Sequence, residues 1–577
     1  MSSLRDALKE ALKLVEGENQ EQRVPPRDLP PAKPNRTYKP NTVTTISEAE
    51  FKRLRSQGLV RMMPVQQRIP EKAAKPMVSR PAPPAKPAAS VVTPKPSVDP
   101  IPAVKLDFSE NPKLKLDATT KRTKVLLPGV ETLGEAEQCR TGITQDTREV
   151  AFGLDFGTSS VKVVIGDMAL DKAFAVPFRE AEGLDAYLLP TRLFQTNGHY
   201  SLTEGELAHR DLKLAFVADP NNLDHQIRIV AFLALVIARA RGWLFNEHKS
   251  AYKNTEIAWK VAVGLPAASS FDTDVAQQLH RLVLLAWHFA ATSNKLSDDL
   301  IREALSSANE FAQIEVAVVP EIAAQIYGFV VSTSFDKRAA NIYLMVDVGA
   351  GTVDSSLFHV KPGKGGKWDF EFFTTAVEPH GVTNLHRHRV NWWTEALAHA
   401  SAPKKLTDDV TSGKFFADSE GPLPNSYVEY FDGVKVSLVN GAKSPDAEFF
   451  NNRVVTQVRG KTLWRAWKDN LLDQRSLEGI PLFLCGGGAR MEYYLALEKE
   501  LEYQQGFSWL KAEAWTMGVP GDLIAEGLAD ADYDRISVAY GLSRLEVGKV
   551  IKAIPLPKTA IEPVDTWRDN YVDKDQC

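Results

Sequence analysis

The chain is 577 residues long, which exceeds the usual size of one domain and predicts two or more hydrophobic cores. Its 69 Lys and Arg residues nearly balance its 73 Asp and Glu residues, so the overall charge does not point to nucleic acid or a membrane as the main partner. Three scattered cysteines, Cys139, Cys485 and Cys577, exclude a disulfide framework and favour a reducing compartment.

Two further features bear on localisation. The first residues, MSSLRDALKEALKLVEGE, mix charged with apolar side chains and lack the continuous apolar segment of a secretory signal. The longest apolar run, 229–238, has about half the length that a bilayer span requires, so it predicts a buried helix. We therefore expect a cytoplasmic protein without a membrane span.

The first 146 residues have their own composition. Nineteen of the 35 prolines fall between Pro25 and Pro128, and residues 1–130 carry 24 Lys and Arg against 13 acids. This predicts a short amphipathic helix over 1–18, followed by a Pro-rich, basic and disordered arm over 19–146. No aromatic residues are interleaved with the basic residues of 51–100, which disfavours nucleic acid. We expect the arm to help capture a protein partner that the sequence does not name.

From about Val150 the chain alternates apolar strands, Gly-rich turns and amphipathic helices, which predicts an α/β fold. The first turn lies in FGLDFGTSSVKVVIGD (152–167), where two strands flank Gly157, Thr158 and Ser159. Backbone N–H groups and hydroxyls in such a hairpin can converge on a phosphate. Asp155 lies at the end of the first strand, and a carboxylate so close to phosphate is expected only beside Mg²⁺ or its waters.

A second hairpin of the same kind occurs in YLMVDVGAGTVDSSLF (343–358). Asp347 ends its first strand, and Gly349, Gly351 and Thr352 follow in the turn. The glycines allow close backbone approach or a positive φ, and the carboxylate faces the same space as in the first hairpin. Two such hairpins can clamp one triphosphate between them.

A third phrase, PLFLCGGGARM (481–491), joins a strand to a helix. Gly486 and Gly487 let the backbone lie against a nucleotide, and the guanidinium of Arg490 can stack on a base.

In this order, the three phrases resemble the phosphate-1, phosphate-2 and adenosine motifs of the actin-like ATPases, including the DnaK-type heat-shock chaperones. VVPEIAAQIYG at 318–328 resembles the first connecting helix, DRISVAYGLS at 534–543 the second, and WKVAVGLPAA at 259–268 the strand before the small subdomain. The resemblance covers about 147–577.

The resemblance implies a two-lobed actin-like ATPase fold built from duplicated ribonuclease-H-like domains. Lobe I then spans about 147–340, lobe II about 341–530, and a closing helix about 531–550. After the second connecting motif about 34 residues remain, too few for a peptide-clamp domain.

ATP and Mg²⁺ are the cofactors that the resemblance implies. Asp155 and Asp347 hold Mg²⁺ through water, and Lys162 and Glu321 join them as the implied catalytic residues. The residues implied to bind phosphate or base are Gly157, Thr158, Ser159, Gly349, Gly351, Thr352, Gly486, Gly487 and Arg490.

Two positions depart from the chaperone pattern. Lys162 lies where actin and the plasmid-segregating actin homologues have a phosphate-contacting Lys and the chaperones do not; the alternative is a solvated strand residue. The chaperones carry Glu before the Pro of the first connecting motif, whereas here Val319 precedes Pro320 and Glu321 follows it. Glu321 then orients the attacking water, or hydrolysis is slow. Adenine as the base rests on the family alone.

Two other patterns are set aside. QVRGKT at 457–462 ends like a phosphate-binding P-loop, but Val455 stands where the first glycine is needed. His380, His386 and His388 cluster without the Cys or carboxylate ligands of a metal site.

The sequence favours a slow ATP-hydrolysing, DnaK-like nucleotide switch that gates a protein partner and lacks a substrate-binding domain. One alternative is an actin-like polymerising ATPase, which Lys162 favours and which leaves self-assembly open. The other is a sugar-type small-molecule kinase, because GLDFGTSSVKVV also resembles the opening of carbohydrate kinases. Asp347, Asp354 and the connecting helices resemble the chaperone and actin branch more closely.

Overall fold

The computed structural model covers most of the chain after residue 103. It describes residues 104–116, 146–293, 295–307, 314–412, 423–439, 441–502, 509–544 and 546–555. The predicted helix over 1–18 and most of the predicted arm, 19–103 and 117–145, lie outside the described residues. The described part is a mixed α/β protein with several sheets, which confirms the predicted α/β class.

The strands fall into two large sheets and two small ones. In chain order they are β1 (Val104–Leu114), β2 (Asp146–Phe156), β3 (Ser160–Asp167), β4 (Lys172–Ala175), β5 (Leu189–Pro190), β6 (Leu193–Thr196), β7 (His199–Ser201), β8 (Leu207–His209), β9 (Thr255–Leu265), β10 (Glu315–Pro320), β11 (Ile342–Val348), β12 (Val353–Pro362), β13 (Trp368–Glu378), β14 (Phe431–Leu438), β15 (Glu478–Cys485), β16 (Lys511–Trp515), β17 (Leu523–Ile524) and β18 (Val547–Lys552).

The two large sheets repeat one arrangement of strands. Sheet I has the order β10-β9-β2-β3-β4-β17, and sheet II has the order β16-β15-β11-β12-β13-β18. In sheet I, β2, β3 and β4 form an antiparallel meander, and β9 and then β10 add in parallel beside β2. In sheet II, β11, β12 and β13 form the meander, and β15 and then β16 add in parallel beside β11.

The helices cover the sheets and connect them. In chain order they are α1 (Leu212–Ala218), α2 (Leu223–Glu247), α3 (Lys249–Tyr252), α4 (Ala267–Ser270), α5 (Thr273–Thr292), α6 (Asp298–Ser306), α7 (Glu321–Gln325), α8 (Tyr327–Val330), α9 (Val382–His399), α10 (Lys404–Ser412), α11 (Pro445–Phe449), α12 (Arg465–Lys468), α13 (Gln474–Leu477), α14 (Glu492–Leu495), α15 (Leu497–Glu502) and α16 (Ser537–Arg544). Two π-helical stretches, Phe450–Val455 and Gln457–Trp464, lie between α11 and α12.

Several local expectations can be compared with these elements. The apolar run 229–238 lies within α2 and is mostly buried, so the predicted buried helix is confirmed. QVRGKT lies in the second π-helical stretch instead of a loop after a strand, so the rejection of a P-loop is confirmed. In the described part of the chain, no helix combines the length and hydropathy that a membrane crossing requires.

One hydrophobic core lies between the two large sheets. It joins Val164 of β3 to Met345 of β11 and Phe483 of β15, and it includes Ile322 of α7 and Ala539 of α16. The helices α7 and α16 therefore pack in the layer that the sheets share.

The helix α16 approaches its neighbours at backbone distance. A Cβ added at Gly153 of β2 would lie 2.2 Å from the carbonyl oxygen of Ala539, and one at Gly166 of β3 would lie 2.2 Å from that of Ser543. A Cβ at Gly541 of α16 would lie 1.9 Å from the carbonyl oxygen of Ala324 in α7. These positions accept only glycine. The close backbone contacts that the glycines allow place α16 against both the β2–β3 hairpin and α7.

A strand inside the predicted disordered arm is the main correction to the sequence analysis. Residues Val104–Leu114 form β1, which pairs antiparallel with β14, and Leu106 is buried in a cluster with Trp393. Pro112 falls at the register shift between Phe108 and Lys113, where its missing N–H removes no regular ladder bond. The prediction of disorder was based on the proline content of the whole arm, and this average did not reveal the short strand within it.

We expect Gly541→Ala to lower the free energy of unfolding by about 1 to 3 kcal/mol, because the added methyl group meets the Ala324 carbonyl. The matched control is Gly460→Ala, also in a helix, where a Cβ meets no atom within 4 Å. That change should stabilise the protein by about 0.5 to 1 kcal/mol through helix propensity. Urea unfolding measures both, and equal effects of the same sign would contradict the close crossing of α16 and α7.

Candidate functional site

A cavity of about 670 Å³ lies where the turns after β2, β11 and β15 meet. Among the predicted site residues, those that line it are Asp155, Gly157, Thr158, Ser159, Lys162, Glu321, Asp347, Gly349, Thr352, Gly486, Gly487 and Arg490. Gly351 belongs to the second turn but does not line the cavity, and a Cβ there would be 2.8 Å from Leu214 Cδ1. Three phrases far apart in the sequence therefore share one space.

Strand geometry explains why two carboxylates meet in this cavity. Asp155 is the penultimate residue of β2, and Asp347 is the penultimate residue of β11. The residue on the facing strand differs between the hairpins: Lys162 faces Asp155 across β2–β3, whereas Asp354 faces Asp347 across β11–β12. The two Asp residues therefore have equivalent positions, but one faces a lysine and the other faces an acid.

Neighbouring elements hold both turns in place. Thr191 Oγ1 donates to the Gly157 carbonyl oxygen at 2.8 Å. At the start of α9, the N–H groups of Val382 and Thr383 donate to the carbonyl oxygens of Gly349 and Ala350 at 3.2 and 2.8 Å. Both Gly-rich turns are therefore tied to the surrounding fold before any ligand binds.

Lys162 forms an ion pair inside the cavity. Its Nζ donates to Asp155 Oδ2 at 2.9 Å, and the two side chains are only 12% and 7% exposed. The alternative interpretation of Lys162 as a solvated strand residue is wrong.

Asp347 lies in a tight environment. Gln325 Nε2 donates to Asp347 Oδ2 at 2.9 Å, and burial together with the charge of Asp155 raises the pKa of the Asp347 carboxyl. A Cβ at Gly486, whose φ is 86°, would lie 2.3 Å from Asp347 Oδ1. Glycine at 486 is therefore required both by the backbone conformation and by the carboxylate.

Glu321 is paired with a residue that the sequence analysis missed. It begins α7 directly after β10, and its Oε1 accepts a hydrogen bond from the Nζ of Lys213 in α1. Burial raises the pKa of Glu321, and Lys213 opposes that rise. Lys213 is the only charged residue in the apolar helix LKLAFVA, and this was the available signal.

Asp354 is a second residue without an assigned role in the sequence analysis. It is buried, and it accepts hydrogen bonds from the Ala267 N–H and the Ser356 Oγ at 3.0 Å each. Burial raises the pKa of Asp354 to about 7, and the nearby charges of Glu321 and Asp347 act in the same direction. Asp354 also ties the second hairpin to the segment after β9.

Two arginines lie by the third turn. Arg490 Nη2 donates to Asp534 Oδ1 at 3.0 Å, and its Nη1 pairs with Asp532 Oδ1 at 2.5 Å. Arg535, which the sequence analysis missed, lines the cavity beside Gly487. It occurs in the second connecting motif DRISVAYGLS, where only the helix was considered.

The three clustered histidines contact different neighbours. His380 Nδ1 lies 3.0 Å from Gln457 Oε1, and buried His386 lies with Nδ1 2.6 Å from the Tyr430 hydroxyl. The ring of His388 packs against Phe449 at 5.6 Å between centroids.

The cavity residues fit a magnesium–triphosphate group. Asp155 raises the pKa of Asp347, so a dication near the two carboxylates would relieve a repulsion that the fold already contains. Lys162, Lys213 and Arg535 supply positive charge from three separate elements around the same space. Neither protein-family models nor curated protein sequences give a match to this chain.

We expect Asp354→Asn to remove a pH dependence of stability. Because the folded pKa of about 7 exceeds the ordinary value, the wild-type protein should lose about 2 to 3 kcal/mol of unfolding free energy between pH 5 and 8. The amide keeps an oxygen that accepts the hydrogen bond from the Ala267 N–H, and it carries no charge. The variant should therefore lose less unfolding free energy over the same pH range.

Urea unfolding in EDTA at both pH values measures this difference. The control is Asp432→Asn, an exposed residue of β14, which should follow the wild-type pH profile. Parallel profiles for wild type and Asp354→Asn would contradict a strongly raised pKa at Asp354.

Proposed function

We propose that this protein binds and slowly hydrolyses ATP with Mg²⁺, and that it acts as a DnaK-like nucleotide switch that gates a protein partner. The observation that carries the proposal is the meeting of three Gly-rich turns around one cavity, with Asp155 and Asp347 at equivalent positions of two hairpins.

We also propose that the two sheets are the cores of two lobes of an actin-like fold. The support is their shared strand order and direction, a three-stranded meander followed by two parallel strands, as expected for duplicated ribonuclease-H-like domains. Their connecting helices α7 and α16 cross at Gly541, so a change in the cavity reaches both sheets through one helix contact.

In this proposal the hairpin turns would hold the phosphates, and Asp155 and Asp347 would hold Mg²⁺. When bound, Mg²⁺ would supply positive charge that offsets the phosphate charge. Lys162, held by Asp155 at 2.9 Å, places a positive charge beside the first turn. Gln325 orients Asp347 from the first connecting helix, so both Asp side chains are positioned before nucleotide enters.

Glu321 is the proposed residue that orients the attacking water. Its raised pKa reflects burial, and the contact with Lys213 holds its carboxylate at the edge of the cavity. A carboxylate in this state can accept a proton from water as the terminal phosphate leaves. Lys213 then offsets charge that develops on the phosphate.

A second candidate is an actin-like polymerising ATPase. The observation that favours it is Lys162, which reaches into the cavity from the position that actins use and DnaK-type chaperones do not. The partner of the switch and any role of the arm in capturing it remain part of the proposal, since residues 1–103 lie outside the described part of the chain.

Phosphate release by the purified protein with ATP and Mg²⁺ tests the leading proposal. We expect slow turnover that falls by about a hundredfold in Asp347→Ala, because one of two Mg²⁺-orienting carboxylates is lost. Asp432→Ala on the exposed face of β14 is the control and should turn over like wild type.

Pelleting and product assays on the same samples separate the candidates. Soluble protein with Asp347-dependent hydrolysis supports the switch, whereas ATP-dependent pelleting supports the polymerising ATPase. ADP release that requires an added sugar supports a small-molecule kinase. A wild-type protein that neither binds nor hydrolyses nucleotide would contradict the ATPase proposal altogether.

We expect Glu321→Gln to lower the rate of hydrolysis by about a hundredfold with nearly unchanged ATP affinity, because the amide cannot accept a proton. Equilibrium binding and single-turnover hydrolysis measure the two quantities separately. Glu315→Gln at the exposed start of β10 is the matched control. Loss of binding and hydrolysis together in Glu321→Gln would indicate a structural role for the Lys213 contact.

A further inference from the structure

The positively charged side chains of the cavity differ in what they already contact. Lys162 pairs with Asp155, Lys213 pairs with Glu321, and Arg490 pairs with two carboxylates. Each of these cations must share or give up an internal ion pair when it contacts an incoming anion. The free energy gained from the anion is reduced by that loss.

Arg535 is in a different position. Within the described residues its guanidinium has neither a hydrogen bond nor an ion pair, and only the more distant charges of Asp534, Asp347 and Asp155 attract it. The side chain is partly buried, and burial lowers the pKa of Arg535. A partly buried guanidinium without a contact partner is incompletely solvated, and an anion in the cavity would supply the missing contact.

The location of Arg535 indicates which part of a nucleotide it meets. It ends the 3-10 helix Asp530–Arg535, two residues before the start of α16, and its guanidinium lies against Gly487. A Cβ at Gly487 would lie 2.7 Å from Arg535 Cζ. Asp347, the residue proposed to hold Mg²⁺, lines the same cavity, and its charge attracts the guanidinium.

We propose that Arg535 binds the diphosphate part of the nucleotide, between the third turn and the Mg²⁺-holding carboxylates. This inference rests on the proposed ATP-binding function. It assigns Gly487 a second task, which is to leave room for the guanidinium. Arg490, held by Asp532 and Asp534, stays at the base end of the cavity.

Equilibrium binding of ATP, ADP and adenosine tests the assignment by competition against a fluorescent ATP analogue. We expect Arg535→Gln to weaken the binding of ATP and ADP by about tenfold to a hundredfold, which is the contribution of a hydrogen bond to a charged group. The affinity for adenosine should be unchanged. Arg535→Lys should recover part of this affinity, because it keeps the charge and loses the bidentate geometry. Arg465→Gln, an exposed arginine outside the cavity, is the control and should bind like wild type.

A double-mutant cycle tests the contact with Gly487. Gly487→Ala should displace the guanidinium and weaken ADP binding about as much as Arg535→Gln does. In the Arg535→Gln background the same change should weaken ADP binding by a smaller factor than in wild type, because the group that it displaces is gone. Equal effects of Gly487→Ala in both backgrounds would overturn the proposed task of Gly487.

The outcomes separate this inference from the function on which it rests. If wild type binds ATP and Arg535→Gln binds ATP and ADP equally well, Arg535 has no phosphate role and only this inference fails. An equal loss of affinity for adenosine and ADP also overturns the inference, because Arg535 would then contact the base or the ribose. If wild type binds none of the three ligands, the proposed function fails too. Thermal unfolding confirms that each variant is folded before binding is compared.

Discussion

The close approach of α16 to the β2–β3 hairpin and to α7 is the constraint on which the rest of the structure depends. Gly153, Gly166 and Gly541 permit backbone contact at three points, and a methyl group at any of them meets a carbonyl oxygen within 2.2 Å. This contact places α16 in the core shared by both sheets. Since Arg535 lies two residues before the start of α16 and Glu321 begins α7, the same packing also positions two charged groups of the cavity.

Charge balance is the second organising feature. The cavity gathers Asp155, Asp347, Glu321 and Asp354 at the ends of strands and the start of a helix, where burial raises the pKa of the last three. Lysines from β3 and α1 compensate two of these acids. The whole lining carries six carboxylates and six cationic side chains, and such a mixed site suits a ligand that brings both a dication and phosphate charge.

The sequence analysis worked where the signal was local. A strand, a Gly-rich turn and a second strand are adjacent in sequence, so Asp155 and Asp347 were found from hairpin patterns, and both line the cavity. Lys213 and Arg535 were missed because each reaches the cavity through long-range packing, which the residues next to it in the sequence do not show. The strand β1 was missed because its partner β14 lies more than 300 residues later in the chain.

By itself, the sequence determined the α/β class, the buried helix α2, the two hairpins and the Gly-rich turn after β15, because each depends on local periodicity and turn residues. Tertiary structure alone decided that the three turns enclose one cavity, that Lys162 pairs with Asp155, and that Lys213 pairs with Glu321. It also decided that Arg535 lies beside Gly487 and lines the same cavity as Asp347. The Lys162–Asp155 pair lies across one hairpin, whereas the other contacts join elements far apart in the chain, and no sequence spacing encodes the distances between these side chains.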